Sequence, residues 1–235
     1  MAVGHYQTSF SAVNGIRMAS TNVGIGSDDS PDLVLFELCP GSTSVGVFTQ
    51  SHFSAAPVQV ARAHLIEGPA RYLLVNSGNA NAATGAQGLL DARACCQAVA
   101  VQGKVKLQQV LPFSTGVIGE ALPIEPIMNA LPDMFAALHE DQWLDAARGI
   151  MTTDTRPKIA SRQLKLCGQL VTLTGIAKGA GMIQPNMATM LSFIATDAQI
   201  SESLLQEMLS SSVASSFNRI TVDSDTSTND ACMLI

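Results

Sequence analysis

The sequence predicts an α+β fold built of sheet and helix layers, and three observations carry that prediction. Hydrophobic residues make up 47% of the 235 and charged residues only 14%, so the chain buries a sizeable core. Short apolar runs of strand length recur between Gly- and Pro-bearing turns. Segments of helical period fall among them without strict strand–helix alternation, and no internal repeat orders them.

The elements follow in chain order. "DLVLFEL" (32–38) and "SVGVFT" (44–49) read as strands separated by the Pro-Gly turn "CPGST". "RYLLVNSG" (71–78) is a third strand, running into the small-residue loop "NANAATGAQG". Helical spacing marks "LLDARACCQAVAVQ" (89–102), and "KLQQVLPFSTG" (106–116) is a buried strand that ends in a Gly turn. Residues 123–153 are helical in two or three pieces, cut by Pro132 and an acidic turn. "RQLKLCGQLVTLTGIAKG" (162–179) is a hairpin around Cys167-Gly168, and "MLSFIATDA" (190–198) is another strand. "SESLLQEMLSSSVASSF" (201–217) is a helix with a Ser cap. The chain stops on the apolar run "ACMLI", which predicts a truncated chain whose last element lacks its packing partners.

Composition excludes several function classes. A formal net charge of −6, with no run of Lys or Arg, argues against a nucleic-acid or anionic-membrane partner. Apolar stretches such as "LPFSTGVIGEALP" are broken by Gly, Pro and Glu, far short of a span of roughly 20 residues. The N-terminus has no basic region followed by an apolar core, so a cytoplasmic protein is expected. Five irregularly spaced cysteines (39, 95, 96, 167 and 232) predict reduced, buried thiols rather than a disulfide framework. The four histidines never reach metal-ligand spacing with one another or with a cysteine, so no metal is expected.

Neither a Walker loop nor a G-x-S-x-G elbow is present. Chemistry instead falls to four clusters of small polar residues: "VNSGNANAATG", "PFSTGVIGE", "IMTTDTRPK" and "KGAGMIQPNMATML". Each follows an apolar stretch, which sets backbone amides and hydroxyls at the rim of a core, where they can stabilise charge on a carbonyl oxygen. Read singly, each is an ordinary turn.

Read together, they resemble the ornithine acetyltransferases, also called glutamate N-acetyltransferases or bifunctional arginine-biosynthesis proteins. The resemblance runs from about Asn14 to the last residue, through "VGVFT", "AAPVQV", "VNSGNANAATG", "LPFSTGVIGE", "MTTDT", "KGAGMIQPNMATML" and "FNRITVDSDTSTND" in order. Two departures stand out. Gln184 occupies a position where the family has a small residue, and Ser224 one where it has Gly.

The resemblance implies a pair of stacked sheets flanked by helices, an αββα-like sandwich of the self-processing N-terminal-nucleophile kind. It implies that the chain cuts itself between Ala188 and Thr189, dividing into 1–188 and an incomplete 189–235. The freed Thr189 is then the nucleophile, because cleavage converts an amide into an α-amine that titrates near about pH 8 and can act as its base. Gly179 and Gly181 permit the backbone shapes of a strained scissile loop. Lys178 holds a substrate carboxylate or an oxyanion, Thr115 and Gly116 form the oxyanion hole, and Thr152 or its neighbour Thr153 contacts substrate. In the plain alternative, Lys178 is a solvated loop lysine and Thr189 a strand residue, while Thr115–Gly116 is a capped turn and Thr152 a helix end.

The implied reaction carries an acetyl group from N-acetylornithine to glutamate through an acetyl-threonine ester, with no cofactor. Some members of that family also take acetyl-coenzyme A as donor. The cleaved chains are expected to assemble as an α2β2 hetero-oligomer. The glutamate and the Asn and Ser/Thr pair that complete the family's substrate site are not found in this sequence. Two rivals remain: a self-processing amidase or aminopeptidase of related architecture, and a catalytically silent fragment.

Overall fold

The computed structural model describes residues 9–26, 29–183, 190–223 and 225–235. Two sheets stack face to face. The first is built from β1 (Ile16–Thr21), β2 (Leu33–Leu38), β4 (Tyr72–Asn79) and β5 (Val110–Val117) in the order β1-β2-β4-β5. Its neighbours are antiparallel except the β4/β5 pair, which is parallel. The second, in the order β3-β9-β8-β7-β6, contains β3 (Val45–Phe48), β6 (Lys158–Leu166), β7 (Gln169–Lys178), β8 (Leu191–Thr196) and β9 (Ala231–Leu234). Only β8 and β9 run parallel there.

Strand alternation explains the layers, because successive side chains point to opposite faces. In β2, Val34, Phe36 and Leu38 enter the core between the sheets, which Phe113, Ile176, Phe193 and Met233 share. Phe193 of the second sheet meets Phe36 and Phe113 of the first at ring-centroid distances of 5.1 Å each. The alternate residues Leu33 and Leu35 face α2 (Gly85–Gly103) and α3 (Ile124–Ala136). On the far side of the second sheet, Cys232 and Leu234 pack against Leu205, Leu209 and Val213 of α5 (Glu202–Ser215). The result is helix, sheet, sheet, helix. Two shorter helices complete it: α1 (Ala56–Glu67), and α4 (Trp143–Gly149), whose Trp143 and Ala147 are buried in the inter-sheet core.

The Pro-Gly turn after β2 stands where it was expected, and it carries the chain across the sandwich, since β2 and β3 lie in different sheets. Several expectations are corrected here. The terminal run is not left unpartnered. Its residues 231–234 form β9, hydrogen-bonded to β3 on one side and β8 on the other, and residues 231–235 are all at most 8% exposed. The thiols are free, but only Cys95, Cys96 and Cys232 are buried, whereas Cys39 and Cys167 are exposed. The hairpin at Cys167-Gly168 is as expected, with φ of 49° and 82°, the paired positive values of a two-residue hairpin turn. Ser201 takes the N-cap position of α5 but makes no side-chain cap bond. Among the described residues, no helix is long and apolar enough to cross a membrane.

Candidate active site

Parallel pairing of β4 and β5 brings their C-terminal ends side by side, with Ser77 opposite Thr115 and Gly78 opposite Gly116. The polar residues there are buried, so each must find a partner. Ser114 Oγ lies 2.6 Å from Asn76 Oδ1, and Asn76 Nδ2 donates to the Asn79 carbonyl at 2.8 Å. Asn229, just before β9, donates to the carbonyls of Ala80 at 2.6 Å and Ser114 at 3.0 Å. This amide ties the second sheet to the ends of β4 and β5.

An open cleft of about 840 Å³ lies at this end of the sandwich, lined among others by Thr115, Gly116, Thr152, Asp154, Lys178 and Asp230. That volume is in the range of small-molecule sites. Lys178 ends β7, and its ammonium donates to Thr115 Oγ1. A hydroxyl that accepts keeps its own proton to donate, so Thr115 retains an O–H for a ligand. Burial lowers the Lys178 pKa; Asp154 and Asp230 oppose this, and the nearby Lys158 adds to it.

Asp154 fixes the two loops that meet below Lys178. Its buried carboxylate takes the Lys158 ammonium, the Gly179 N–H at 2.9 Å and, more weakly, the Thr152 N–H at 3.4 Å. Gly179 adopts φ +144°, as expected of a residue needing glycine's freedom, whereas Gly181 is not left-handed. Opposite lies Asp230, 4% exposed, whose carboxyl burial pushes up to about 7 against the pull of Lys178, Ser227 and the Met190 amide.

The predicted residues therefore divide. Thr115, Gly116, Thr152 and Lys178 are brought to one cleft from β5, the loop after α4, and β7. Thr153 lines it too, so the choice between the two threonines stays open. Ala188, Thr189, Gln184 and Ser224 lie outside the described residues. Asp154, Asn229 and Asp230 were missed: each stands in a quoted block, but a single Asp or Asn among small polar residues carries no periodic signal. The buried thiols are poor rival nucleophiles, since burial pushes Cys95 and Cys232 up to about 12.

Thr115→Ala tests the Lys178–Thr115 pair. It removes a 5%-exposed hydroxyl without disturbing the backbone of β5. If Thr115 donates to developing charge, the rate of acyl transfer falls roughly 10²- to 10³-fold while substrate affinity and melting temperature barely change. Steady-state kinetics beside a thermal melt decides this, and an equal loss of affinity would assign Thr115 to ground-state binding.

The ArgJ family model matches residues 17–235. The arginine biosynthesis bifunctional protein ArgJ of Methylococcus capsulatus is 57% identical over 223 residues, 95% of this chain and 54% of that protein. The solved ArgJ of Bacillus halodurans is 33% identical with a TM-score of 0.68, covering 75% of this chain and 92% of that one. An ornithine acetyltransferase from Mycobacterium tuberculosis, solved in complex with ornithine, is 32% identical with a TM-score of 0.65 over 74% of this chain and 93% of that one. A 9%-identical L-aminopeptidase D-Ala-esterase/amidase from Ochrobactrum anthropi, a variant of the Ntn hydrolase fold, is alike in fold alone, with a TM-score of 0.54 over 97% of this chain and 76% of that one. The chain spans about half the length of the curated relatives it matches. With one family model covering all of it from residue 17 onward and a relative at 57% identity, the chain belongs to the ArgJ family.

Proposed function

We propose that this protein is an N-acetyltransferase of arginine biosynthesis, moving an acetyl group from N-acetylornithine to glutamate through an ester on Thr189 after self-cleavage at Ala188–Thr189. The observation that carries this reading is the convergence of Thr115–Gly116, Thr152, Lys178 and Asp230 on one cleft from segments far apart in sequence. Residue 189 directly precedes Met190, whose carbonyl accepts the Ala231 N–H at 3.0 Å. The names of the relatives point to the same chemistry.

Chain lengths support the cut. The two solved relatives are each about four-fifths as long as this chain (75/92 and 74/93), and 188/235 is the same fraction.

In the reaction, the α-amine of Thr189 takes the hydroxyl proton as the oxygen attacks the acetyl carbonyl. Thr115 O–H and Gly116 N–H face the oxyanion, while Lys178 holds a carboxylate or supports that charge. The proton passes to the departing ornithine amine, and glutamate then collects the acetyl group by the reverse steps. No cofactor takes part, and acetyl-coenzyme A would enter as an alternative donor to the same hydroxyl. Thr152 or Thr153 contacts substrate from the loop after α4. The segments 1–188 and 189–235 stay together, pair as α2β2 and work in the cytoplasm.

The test is acetyl transfer from labelled N-acetylornithine to glutamate, run with and without the remaining half of a relative. Labelled N-acetylglutamate in either arm is the expected result. Free acetate in its place would overturn transfer in favour of hydrolysis, and silence in both arms would overturn the activity.

A further inference from the structure

The buried carboxylate of Asp230 has a role that Thr115, Gly116 and Lys178 do not cover. Its Oδ2 is buried and has no hydrogen-bond partner among the described residues. Its surroundings are otherwise fully tied. The Asp230 carbonyl accepts the Thr49 N–H at 2.9 Å, Asn229 beside it is held on Ala80 and Ser114, and Ala231 N–H holds the Met190 carbonyl. The Met190 N–H and the Ser227 hydroxyl donate to the carboxylate itself. A carboxylate so firmly placed, in a residue that lines the cleft and with one buried oxygen left over, still calls for a donor.

We propose that Asp230 is a positioning residue that pins the Met190 amide at the head of β8 and offers its second oxygen to an amino group brought to that point in the cleft. The charged groups facing it fit this role. Lys178 is the cation opposite, already committed to Thr115, and Asp154 beyond it is engaged by Lys158. Asp230 is thus the carboxylate of the cluster that keeps an oxygen for a ligand. Two amines meet the description, and the inference rests on the reading above for the first. Cleavage before residue 189 leaves an α-amine one residue upstream of the pinned amide, with neighbouring Cα atoms about 3.8 Å apart whatever the local conformation. An amino-acid substrate brings the second. For the α-amine the logic is that of a base oriented by a third group. A carboxyl that titrates near 7 then sets how much of that base is held in place at neutral pH.

Asp230→Asn keeps the shape and an acceptor for Met190 but loses the charge, while Asp230→Ala loses both. Three measurements on the whole chain decide the matter. Amide hydrogen exchange at Met190 should rise at least roughly tenfold in Asp230→Ala and stay near wild type in Asp230→Asn. The pKa of the new α-amine, followed by its labelling rate against pH, should fall by about one unit in Asp230→Asn if the amine is the chain's own. Ornithine binding by calorimetry should weaken roughly tenfold in Asp230→Asn if the amine is the ligand's. A shift in either amine measurement, with the exchange result, supports the proposal and names the source. Unchanged Met190 exchange in Asp230→Ala overturns it, as does Asp230→Asn leaving both the α-amine and ornithine binding untouched. If the wild-type chain stays uncut, the cleavage reading fails by itself, and exchange and ornithine binding still judge Asp230.

Discussion

Thr189→Ala is expected to remain a single chain of 235 residues, where the wild type is expected to separate into pieces of 188 and 47 (235 − 188). The cut at Ala188–Thr189 requires the Thr189 oxygen to attack the carbonyl before it, turning the amide into an ester that water then opens. A methyl group offers no such oxygen. The same substitution removes the acceptor of the acetyl group, so transfer falls by roughly four to six orders of magnitude, the range seen when a covalent nucleophile is lost. Thr189→Ser retains a hydroxyl and should still cut, though its freer side chain is less well oriented. Intact-mass analysis of the three proteins reads the first effect, and N-acetylglutamate formation the second. Cleavage that persists in Thr189→Ala would dismiss the residue as nucleophile.

The sequence and the folded chain agree most closely where a segment's own pattern decides its structure. The strands at 32–38, 71–78 and 106–116, the hairpin at 162–179 and the helix at 201–217 all appear near their expected bounds. The three strands bury nearly all their apolar residues, and the helix buries Leu205, Leu209 and Val213 at helical spacing, while the tip of the hairpin leaves Leu164, Leu166 and Leu170 exposed. α1 escaped notice because it has no apolar stripe. Its buried residues Ala56, Pro57, Val58, Val60, Ala61 and His64 crowd the first nine positions, and two of them are β-branched valines. β9 was misread for a different reason. Four residues at a chain end have no periodicity to show, and their partners come from residues 45–48 and 191–194, far away in sequence.

The site divides along the same line. Thr115, Gly116 and Lys178 were legible as parts of ordered blocks, and the structure brings them together. Asp154 and Asp230 were not, because what sets them apart is burial beside lysines supplied by β6 and β7. No spacing along the chain encodes that encounter, which depends on how the two sheets stack.

Gly116→Ala is expected to unfold the protein more readily, by roughly 4 to 24 °C in melting temperature. Gly116 holds φ at +135°, which an alanine adopts only at a cost of about 1–3 kcal/mol. The added methyl would also lie 2.2 Å from the carbonyl carbon of Gly78, 2.4 Å from its oxygen and 2.5 Å from the Asn79 nitrogen. All three are backbone atoms, and Gly78 is itself confined, since a Cβ there would meet the Ile25 carbonyl oxygen at 2.7 Å. With no flexible side chain to yield, β4 and β5 must part where their ends frame the cleft, adding about 1–3 kcal/mol of overpacking. At about 2–4 °C per kcal/mol for a chain this long, the two effects give the stated range. Gly119→Ala is the control: its φ is +91° but nothing lies within 4 Å of the new carbon, so it bears conformational strain without collision and should melt a few degrees below wild type at most. Equal melting of Gly116→Ala and wild type would mean that the close approach of the two strands relaxes freely. The larger shift would show that lost activity in Gly116→Ala reports a displaced strand, so the oxyanion role of this turn is measured through Thr115, whose side chain can be removed without moving the backbone.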